Sequence, residues 1–295
     1  MIVRAYAKIN LTLRVLGTRT DGYHELRTIF QTVALHDLIT MTPRPGPMTI
    51  TCSDPAVPAG EANLAWKAAA ALWQASGRRG EPRNVRIHIV KRIPMQAGLG
   101  GGSSDAAAVL GGLARLWRVR VSAAELGRLA ATLGADVPFL LRGGTALGVD
   151  RGDRLYPLSP LPPTWVALVV PAFGVSTVEA YRWLDRASTP HASEPDSRPG
   201  RARGAGRQAP AGWPYPADEL VNDLQPPVVA RHPEIGAIVD RLRRSGASDA
   251  AMSGSGSAVF GLFGARAAAE RAMRSCLRAG WQALVTRTMT PRQPR

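Results

Sequence analysis

Residues 3–15 alternate between apolar and polar positions. Every second residue from Val3 to Val15 is apolar, and the residues between them are polar, charged or, at one position, amphipathic. A period of two is typical of a β-strand that buries one face. The pattern predicts a half-buried strand, with Lys8 and Asn10 together on the face away from the core.

Strand and helix patterns are mixed along the rest of the chain. Further strands are predicted over 26–41, 85–93, 165–170 and 283–288, with a hairpin over 143–158. Helices are predicted over 63–74, 105–117, 234–244 and 265–279. The S-A-A-E stretch from Ser122 is a capping-box pattern for a helix that Gly134 ends. This mixture predicts an α+β fold.

One internal segment has a different composition. Residues 187–217 contain six prolines, with Gly, Ser, Ala and Arg between them. Such a segment cannot bury enough apolar surface to form a core of its own. We expect a flexible insertion there.

The charge of the chain raises the question of its partners. Its 37 Lys and Arg residues against 22 Asp and Glu give a net charge of +15 over 295 residues. A basic chain can bind nucleic acid, and it also attracts small polyanions such as nucleotides. However, lysine occurs only at Lys8, Lys67 and Lys91, and the arginines are spread along the chain, which is typical of a composition bias. An Arg-rich nucleic-acid-binding protein is therefore the less favoured alternative.

Cysteine content and hydropathy exclude several other classes. Cys52 and Cys276 alone cannot form a disulfide framework or a four-cysteine zinc site. No apolar run approaches the roughly 18 residues of a membrane-spanning helix, and the N-terminus lacks the apolar block of a signal peptide. We expect a soluble, cytoplasmic protein with no membrane partner.

The stretch PMQAGLGGGSSDAAA, from Pro94, lies between a predicted strand and a predicted helix. Four of the five residues from Gly98 to Gly102 are glycine. Bare backbone N–H groups at a helix start form a site for phosphate, and Ser103 and Ser104 can add hydroxyl donors. A flexible turn is the alternative, although a simple turn needs only one or two glycines.

This loop matches neither of two common phosphate-binding motifs. A Walker A loop requires Gly-Lys, and the chain contains no such pair. A dinucleotide-binding loop requires glycine at its sixth position, which is Ser103 when counted from Gly98. The residues indicate a phosphate-binding loop of another kind.

Four separated stretches, in order, resemble the GHMP kinases, named for galactose, homoserine, mevalonate and phosphomevalonate. They are AKINLTLRVLGTRTDGYHEL, IPMQAGLGGGSSDAA, TLGADVPFLLRGGTALGVDRGD and SGSGSAVFGLF, and the resemblance covers about residues 5–264. It implies a two-lobed α+β fold with a mixed N-terminal sheet over 1–156 and an α/β sandwich lobe over 157–295. The insertion at 187–217 lies in the second lobe.

The resemblance also implies phosphoryl transfer from ATP to an alcohol. The catalytic residues would be Lys8 and Asp136, with Asp136 accepting or orienting the hydroxyl proton and Lys8 keeping Asp136 ionised. From spacing alone, Asp136 could instead be a helix N-cap, and Lys8 could be a solvated strand residue. Mg²⁺ is expected with ATP, held mainly by phosphates and water, and no protein ligand is assigned to it.

The residues implied to contact ATP form one set. They are Asn63, Pro94, Gly98, Leu99, Gly100, Gly101, Gly102, Ser103 and Ser104.

The closest match lies with the branch of the family that phosphorylates a cytidine diphosphate derivative of a branched sugar alcohol. That branch acts on a 2-hydroxyl in non-mevalonate isoprenoid synthesis. The implied substrate-binding residues are Asn10, Tyr23, His24, Thr177, Tyr181, Gly254, Ser255 and Gly256. A kinase of the homoserine or mevalonate type is the alternative.

Two of these implied roles have structural alternatives. His24 would hydrogen-bond the cytosine, with Tyr23 beside it and Tyr181 stacked on it, but Tyr181 could also be a core aromatic. The stretch from Ser253 to Ser257 could be a plain turn between a helix and a strand. We expect a monomer or a weak homodimer that does not bind nucleic acid.

Overall fold

The structure is a computed structural model that describes residues 1–188 and 221–290. The N-terminal alternation forms β1 (Ile2–Thr18), which pairs antiparallel with the long strand β2 (His24–Pro47). Four shorter strands complete a six-stranded mixed sheet: β3 (Thr49–Cys52), β4 (Arg83–Val90), β5 (Thr145–Asp150) and β6 (Arg154–Pro157). Only β3 and β4 pair in parallel within it. The predicted hairpin over 143–158 is confirmed as β5 and β6.

Four helices belong to this first lobe: α1 (Leu64–Ala75), α2 (Gly101–Leu116), α3 (Ala123–Leu133) and α4 (Val137–Arg142). Their apolar side chains share a core with alternate residues of β1, β2 and β4. The capping box that begins α3 at Ser122 is confirmed. The helix expected from residue 105 begins four residues earlier, because Gly100 adopts a left-handed conformation that ends the preceding loop.

The second lobe has a four-stranded antiparallel sheet in the order β10-β7-β9-β8. Its strands are β7 (Trp165–Val170), β8 (Asp249–Met252), β9 (Val259–Phe263) and β10 (Gln282–Arg287). The helices are α5 (Thr177–Ser188), α6 (Gln225–Arg231), α7 (Pro233–Arg244) and α8 (Arg266–Arg278). The predicted insertion overlaps α5 at residues 187 and 188, and from residue 189 it lies outside the described residues.

The expectation that β1 is half-buried holds for residues 2–6, where buried and more exposed residues alternate, and is wrong for residues 7–13, which are all buried. The strand register shifts between Tyr6 and Lys8, and such a bulge re-aims the residues that follow it. Val3 and Ala5 pack among the helices of the first lobe, whereas the later apolar residues Ala7, Ile9 and Leu11 share a core with the second sheet. Lys8 and Asn10 lie on the face opposite these later apolar residues and are also buried, with only 4% and 3% of their surface exposed.

Candidate active site

The glycine loop leads directly into the N-terminus of α2. Gly98 and Gly100 have φ angles of +71° and +70°, a region that favours glycine. Gly100 is the N-cap residue of the 16-residue helix and offers no side-chain cap. The first backbone N–H groups of α2 have no partner within the helix and carry the positive end of its dipole. This arrangement can bind a phosphate group.

The serines and flanking residues of the loop have unequal roles. The Ser104 hydroxyl is buried and donates to the Tyr6 carbonyl at 2.7 Å, which ties α2 to β1. Ser103 is half-buried in the first turn. Leu99 places its side chain in the core between the sheets, while its carbonyl accepts the Lys8 N–H at 3.0 Å. Pro94 is half-buried before the loop.

Lys8 and Asp136 come together beside this loop. The Lys8 Nζ lies 3.4 Å from the Asp136 carboxylate, and it donates to Asn10 Oδ1 at 2.6 Å. A methyl group on Gly100 would lie 3.2 Å from Lys8 Cγ, so the lysine stem passes directly under the glycine loop. The expected alternative of a solvated Lys8 is wrong, because only 4% of the residue is exposed and Gly100 and Gly254 lie against its side chain.

Asp136 occupies the N-cap position of α4, but its side chain makes no capping hydrogen bond. The capping interpretation of this carboxylate is therefore wrong. Its side chain keeps 31% of its surface exposed, whereas Lys8 keeps 5%. The pair thus consists of a buried cation and a partly exposed carboxylate.

Asn10 is oriented by a second layer of hydrogen bonds. Its Nδ2 donates to Thr28 Oγ1 at 2.7 Å, and that hydroxyl donates to the Thr12 carbonyl at 2.6 Å. Because the amide nitrogen is used in this way, the amide oxygen faces Lys8. The ammonium group is consequently held between Asn10 and Asp136.

The stretch from Ser253 to Ser257 lies between the strands β8 and β9, not between a helix and a strand as the plain-turn interpretation had it. The Ser253 hydroxyl donates to the Gly98 carbonyl at 3.0 Å. A methyl group on Gly254 would lie 3.1 Å from Asn10 Oδ1 and 3.2 Å from Lys8 Nζ. The two glycine-rich loops therefore meet over the Lys8 side chain.

The rest of this second loop is anchored to the second lobe. The Ser255 hydroxyl lies 3.0 Å from the Thr177 hydroxyl at the start of α5. Gly256 has a φ of +86°, and a methyl group there would overlap the sulfur of Met252 at 2.7 Å. The positive φ therefore favours glycine at this position, and a methyl group would also require the Met252 side chain to shift.

The DGYH turn brings only one of its two aromatic residues to Tyr181. The His24 ring stacks on the Tyr181 ring at 4.5 Å, and His24 Nε2 lies 2.8 Å from an Asp185 carboxylate oxygen. Tyr23 is 57% exposed, and its ring lies under the Arg151 guanidinium at 5.2 Å.

Tyr181 lies close enough to Asp136 to feel its charge. Burial raises the pKa of the Tyr181 hydroxyl, and the negative charge of Asp136 raises it further. The ring also packs on the edge of the second-lobe core. Tyr181 is therefore partly a core aromatic, and its other contacts are with His24 and the cleft.

Asn63 begins α1 next to the glycine loop. Its Oδ1 accepts the Ala65 N–H at 2.8 Å as an N-cap, and its Nδ2 donates to the Pro58 carbonyl at 2.7 Å. A methyl group on Gly102 would lie 3.7 Å from the neighbouring Leu64. The side-chain amide of Asn63 shapes the helix start, and the helix start lies against the loop.

A buried ionic cluster beneath α2 was not predicted. Lys91 forms ion pairs with Asp37 and, at 2.8 Å, with Asp105. A methyl group on Gly101 would lie 3.4 Å from Lys91 Nζ, so the cluster supports the first turn of α2. The sequence signals were the retained lysine and the carboxylate in SSDAA, but nothing in the spacing joined them.

Asp105 is the carboxyl group of this cluster whose pKa is raised by burial. Burial raises its pKa to about 7; Lys91 lowers it, and the charge of Asp37 adds to the rise. Within the described part of the chain, its Oδ1 is buried without a hydrogen-bond partner.

The described residues offer neither a cluster of metal ligands nor a membrane-spanning helix. Among residues 1–188 and 221–290, no group of three His, Cys, Asp or Glu side chains could hold a metal ion. None of the helices in that part of the chain is both long and apolar enough to cross a bilayer.

Comparison with known proteins agrees with this geometry. Residues 63–144 match the GHMP kinases N terminal domain, and residues 207–281 match the GHMP kinases C terminal domain. The 4-diphosphocytidyl-2-C-methyl-D-erythritol kinase of Moorella thermoacetica is 44% identical over 97% of this chain and 98% of its own length. The chain is a GHMP kinase. A protein of the same description from Pelotomaculum thermopropionicum is 43% identical to this kinase, over 98% of each chain.

Solved structures place the kinase in the same fold. A crystal structure of 4-(cytidine 5'-diphospho)-2C-methyl-D-erythritol kinase superimposes with a TM-score of 0.77 at 36% identity, over 98% of this chain and 99% of the other. The Methanococcus jannaschii mevalonate kinase superimposes with a TM-score of 0.67 at 12% identity, over 98% of each chain. The second likeness shows the shared fold alone. The predicted two-lobed α+β fold is confirmed.

Proposed function

We propose that this kinase transfers the γ-phosphoryl group of ATP to the 2-hydroxyl of 4-diphosphocytidyl-2-C-methyl-D-erythritol. This step belongs to non-mevalonate isoprenoid synthesis. The observation that carries the proposal is the Lys8–Asp136 pair, 3.4 Å apart, beside the glycine loop at the start of α2. Relatives of that description at 43–44% identity along nearly the whole chain support this choice of acceptor.

Asp136 and Lys8 divide the work of the transfer. Asp136 accepts or orients the proton of the acceptor hydroxyl as its oxygen bonds to the γ-phosphorus. The bond from that phosphorus to the β–γ bridging oxygen breaks, and ADP leaves. Lys8, held by Asn10 and Asp136, offsets negative charge on the transferred group.

The ATP phosphates would lie on the glycine loop. Gly98 to Gly102 present bare backbone, and the α2 N-terminus supplies N–H donors and a favourable dipole. Ser103 adds a hydroxyl in the first turn, Leu99 and Ser104 fix the loop to the core, and Pro94 would contact ATP at the start of the loop. Asn63 places the start of α1 on the nucleotide side. Mg²⁺ accompanies ATP, held mainly by phosphate oxygens and water.

The cytidine end of the acceptor would bind at the DGYH turn. His24 and Tyr181 provide a polar edge and a stacking face within the same cleft as Asp136. Because the His24 ring covers one face of Tyr181 in this structure, stacking of the base would require His24 to move aside and hydrogen-bond the base edge. Tyr23, on the exposed side of the turn, would then close over the base.

The remaining contacts would hold the diphosphate and the sugar alcohol. Asn10 contacts Lys8, and Thr177 contacts the loop from Gly254 to Gly256, which also lies against Lys8. We assign these contacts to this group of residues. We place the lobe boundary between residues 156 and 157, at the end of β6, whose last residue is Pro157. The enzyme would act in the cytoplasm as a monomer or a weak homodimer, without a nucleic-acid partner.

The test is ADP release from Mg·ATP with four acceptor conditions. We expect release with 4-diphosphocytidyl-2-C-methyl-D-erythritol, and only background release with mevalonate, with homoserine and with no acceptor. Turnover with mevalonate or homoserine instead would overturn the proposed acceptor. No turnover with any alcohol, together with salt-sensitive binding to DNA or RNA, would overturn the proposed activity.

A further inference from the structure

Asn222 uses every polar atom of its buried side chain. Its Nδ2 donates to two backbone carbonyls, those of Met252 and Gly254, at 2.8 Å each. Its Oδ1 accepts the Leu224 N–H at 3.0 Å. Only 6% of the residue is exposed. An amide side chain is required here, because no other residue of this size donates twice and accepts once.

The short segment that carries Asn222 is attached to β1. Leu13 donates its N–H to the Val221 carbonyl at 2.6 Å and accepts the Asp223 N–H at 2.9 Å. The Asp223 side chain accepts the Val15 N–H at 2.9 Å. Asn222 is thus fixed to the strand that also carries Lys8 and Asn10.

One of the two carbonyls that Asn222 binds belongs to Gly254, which lies beside Lys8 in the second loop. Gly254 has a φ of +56°, and its bare Cα faces Asn10 Oδ1 and Lys8 Nζ. The Gly254 backbone therefore forms one wall of the site that holds the ammonium group. The Asn222 amide, on the second-lobe side of the Gly254 backbone, holds it in place through the hydrogen bond to its carbonyl.

We propose that Asn222 is a positioning residue for phosphoryl transfer. It connects β1 to the Gly254 peptide, so that the loop stays closed over Lys8 and Asn10 while the phosphoryl group moves. Misplacement of catalytic groups by about 1 Å can lower a rate about 10²-fold. This inference rests on the proposed function for its kinetic consequence, but the closure of the loop over Lys8 is a property of the protein alone.

Gln225 offers a matched control. Its Oε1 accepts the Met252 N–H at 2.8 Å, so it also joins the start of α6 to the end of β8. This hydrogen bond does not involve Gly254. Gln225→Ala therefore removes a neighbouring hydrogen bond to Met252 and leaves the bond from Asn222 to the Gly254 carbonyl in place.

The principal variant is Asn222→Asp, which has nearly the same shape. A carboxylate only accepts hydrogen bonds, so it loses both donations and repels the two carbonyl oxygens. Asn222→Ser is the second variant, because it loses the same restraint without adding a charge and serves if the first variant fails to fold.

The first readout separates kcat from KM. We expect kcat to fall about tenfold to a hundredfold in both Asn222 variants, with the KM for ATP within about threefold, since Lys8 acts mainly in the transition state. Gln225→Ala should keep kcat within about twofold of wild type. Equal kcat values in the Asn222 variants and in Gln225→Ala would overturn the proposal.

The second readout does not depend on the acceptor. Acylation of Lys8 by acetic anhydride, followed by mass spectrometry of the native protein, reports how well the loop covers the amine. We expect Lys8 to react about tenfold faster in the Asn222 variants than in wild type or Gln225→Ala. Unchanged reactivity would overturn the proposal. A wild-type protein that phosphorylates none of the acceptors would overturn the proposed function and leave this comparison to decide the inference.

Discussion

The contact between the two glycine-rich loops predicts that Gly98→Ala destabilises the kinase. Gly98 has a φ of +71°, and a methyl group there would overlap the backbone carbonyl of Ser253 and lie 3.1 Å from the Gly256 nitrogen. Both neighbours are backbone atoms, so no side-chain rotation can relieve the overlap. The second loop must move away from the first.

The magnitude follows from two contributions. A left-handed conformation costs an alanine about 1–2 kcal/mol relative to its preferred regions. Overpacking a well-packed site costs about 1–3 kcal/mol. We therefore expect Gly98→Ala to lower the free energy of unfolding by about 2–5 kcal/mol. The same displacement moves the Gly254 backbone away from Lys8, so we expect kcat to fall as well.

Gly102→Ala is the matched control in the same loop. Gly102 is an exposed residue in the first turn of α2, and a methyl group there would meet Leu64 at an ordinary 3.7 Å. Replacing glycine by alanine in a helix stabilises by about 0.5–1 kcal/mol. Urea unfolding of both variants and wild type measures the difference. If Gly98→Ala unfolds at the same urea concentration as Gly102→Ala, the reasoning about the interlocked loops is refuted.

Two further predictions concern the ionic cluster beneath α2. Burial raises the pKa of Asp105 from 3.8 to about 7. Between about pH 4 and 7 the folded protein therefore binds more protons than the unfolded chain. Because of this difference, the free energy of unfolding falls as pH rises through that range. Asp105→Asn should lack this fall in urea unfolding at pH 4.5, 6 and 7.5, and an unchanged pH profile would contradict the assignment. Lys91→Met leaves two buried carboxylates without their cation and should lower the free energy of unfolding by about 3–5 kcal/mol. The control Lys67→Met, at an exposed lysine, should lower it by less than about 0.5 kcal/mol. Equal losses of stability in the two variants would contradict a special role for Lys91.

Periodicity in the sequence predicted most elements, because strands and helices follow local patterns. The strand over 3–15, the hairpin over 143–158 and the capping box at Ser122 all depend on residues close in sequence. The burial of Lys8 could not be predicted in this way. It depends on a bulge after Tyr6 and on the glycine-rich loops at residues 98–102 and 253–257, which lie against the lysine but are distant from it in sequence.

The site was predicted unevenly for the same reason. Composition predicted the glycine loop as a phosphate site, and the roles proposed for Lys8 and Asp136 came from the family resemblance; the structure brings the three together beside the start of α2. The cluster of Asp37, Lys91 and Asp105 joins residues from three separate elements, and no local pattern connects them.

The contacts of Asn222 show most clearly what local sequence patterns cannot predict. Its role depends on carbonyls 30 and 32 residues further along the chain. A polar residue just after a proline-rich segment gives no local sign of such a contact.

The most direct test of the account is the effect of Asp136→Asn on ADP release with 4-diphosphocytidyl-2-C-methyl-D-erythritol. The change keeps the shape of the side chain and removes both the negative charge beside Lys8 and the ability to accept a proton as a base. General-base groups typically contribute about 10²–10⁴-fold, so the account predicts that kcat/KM falls by at least about 10²-fold while the fold stays intact by circular dichroism. A folded Asp136→Asn variant that retains kcat/KM within about threefold of wild type would contradict the central role of the Lys8–Asp136 pair.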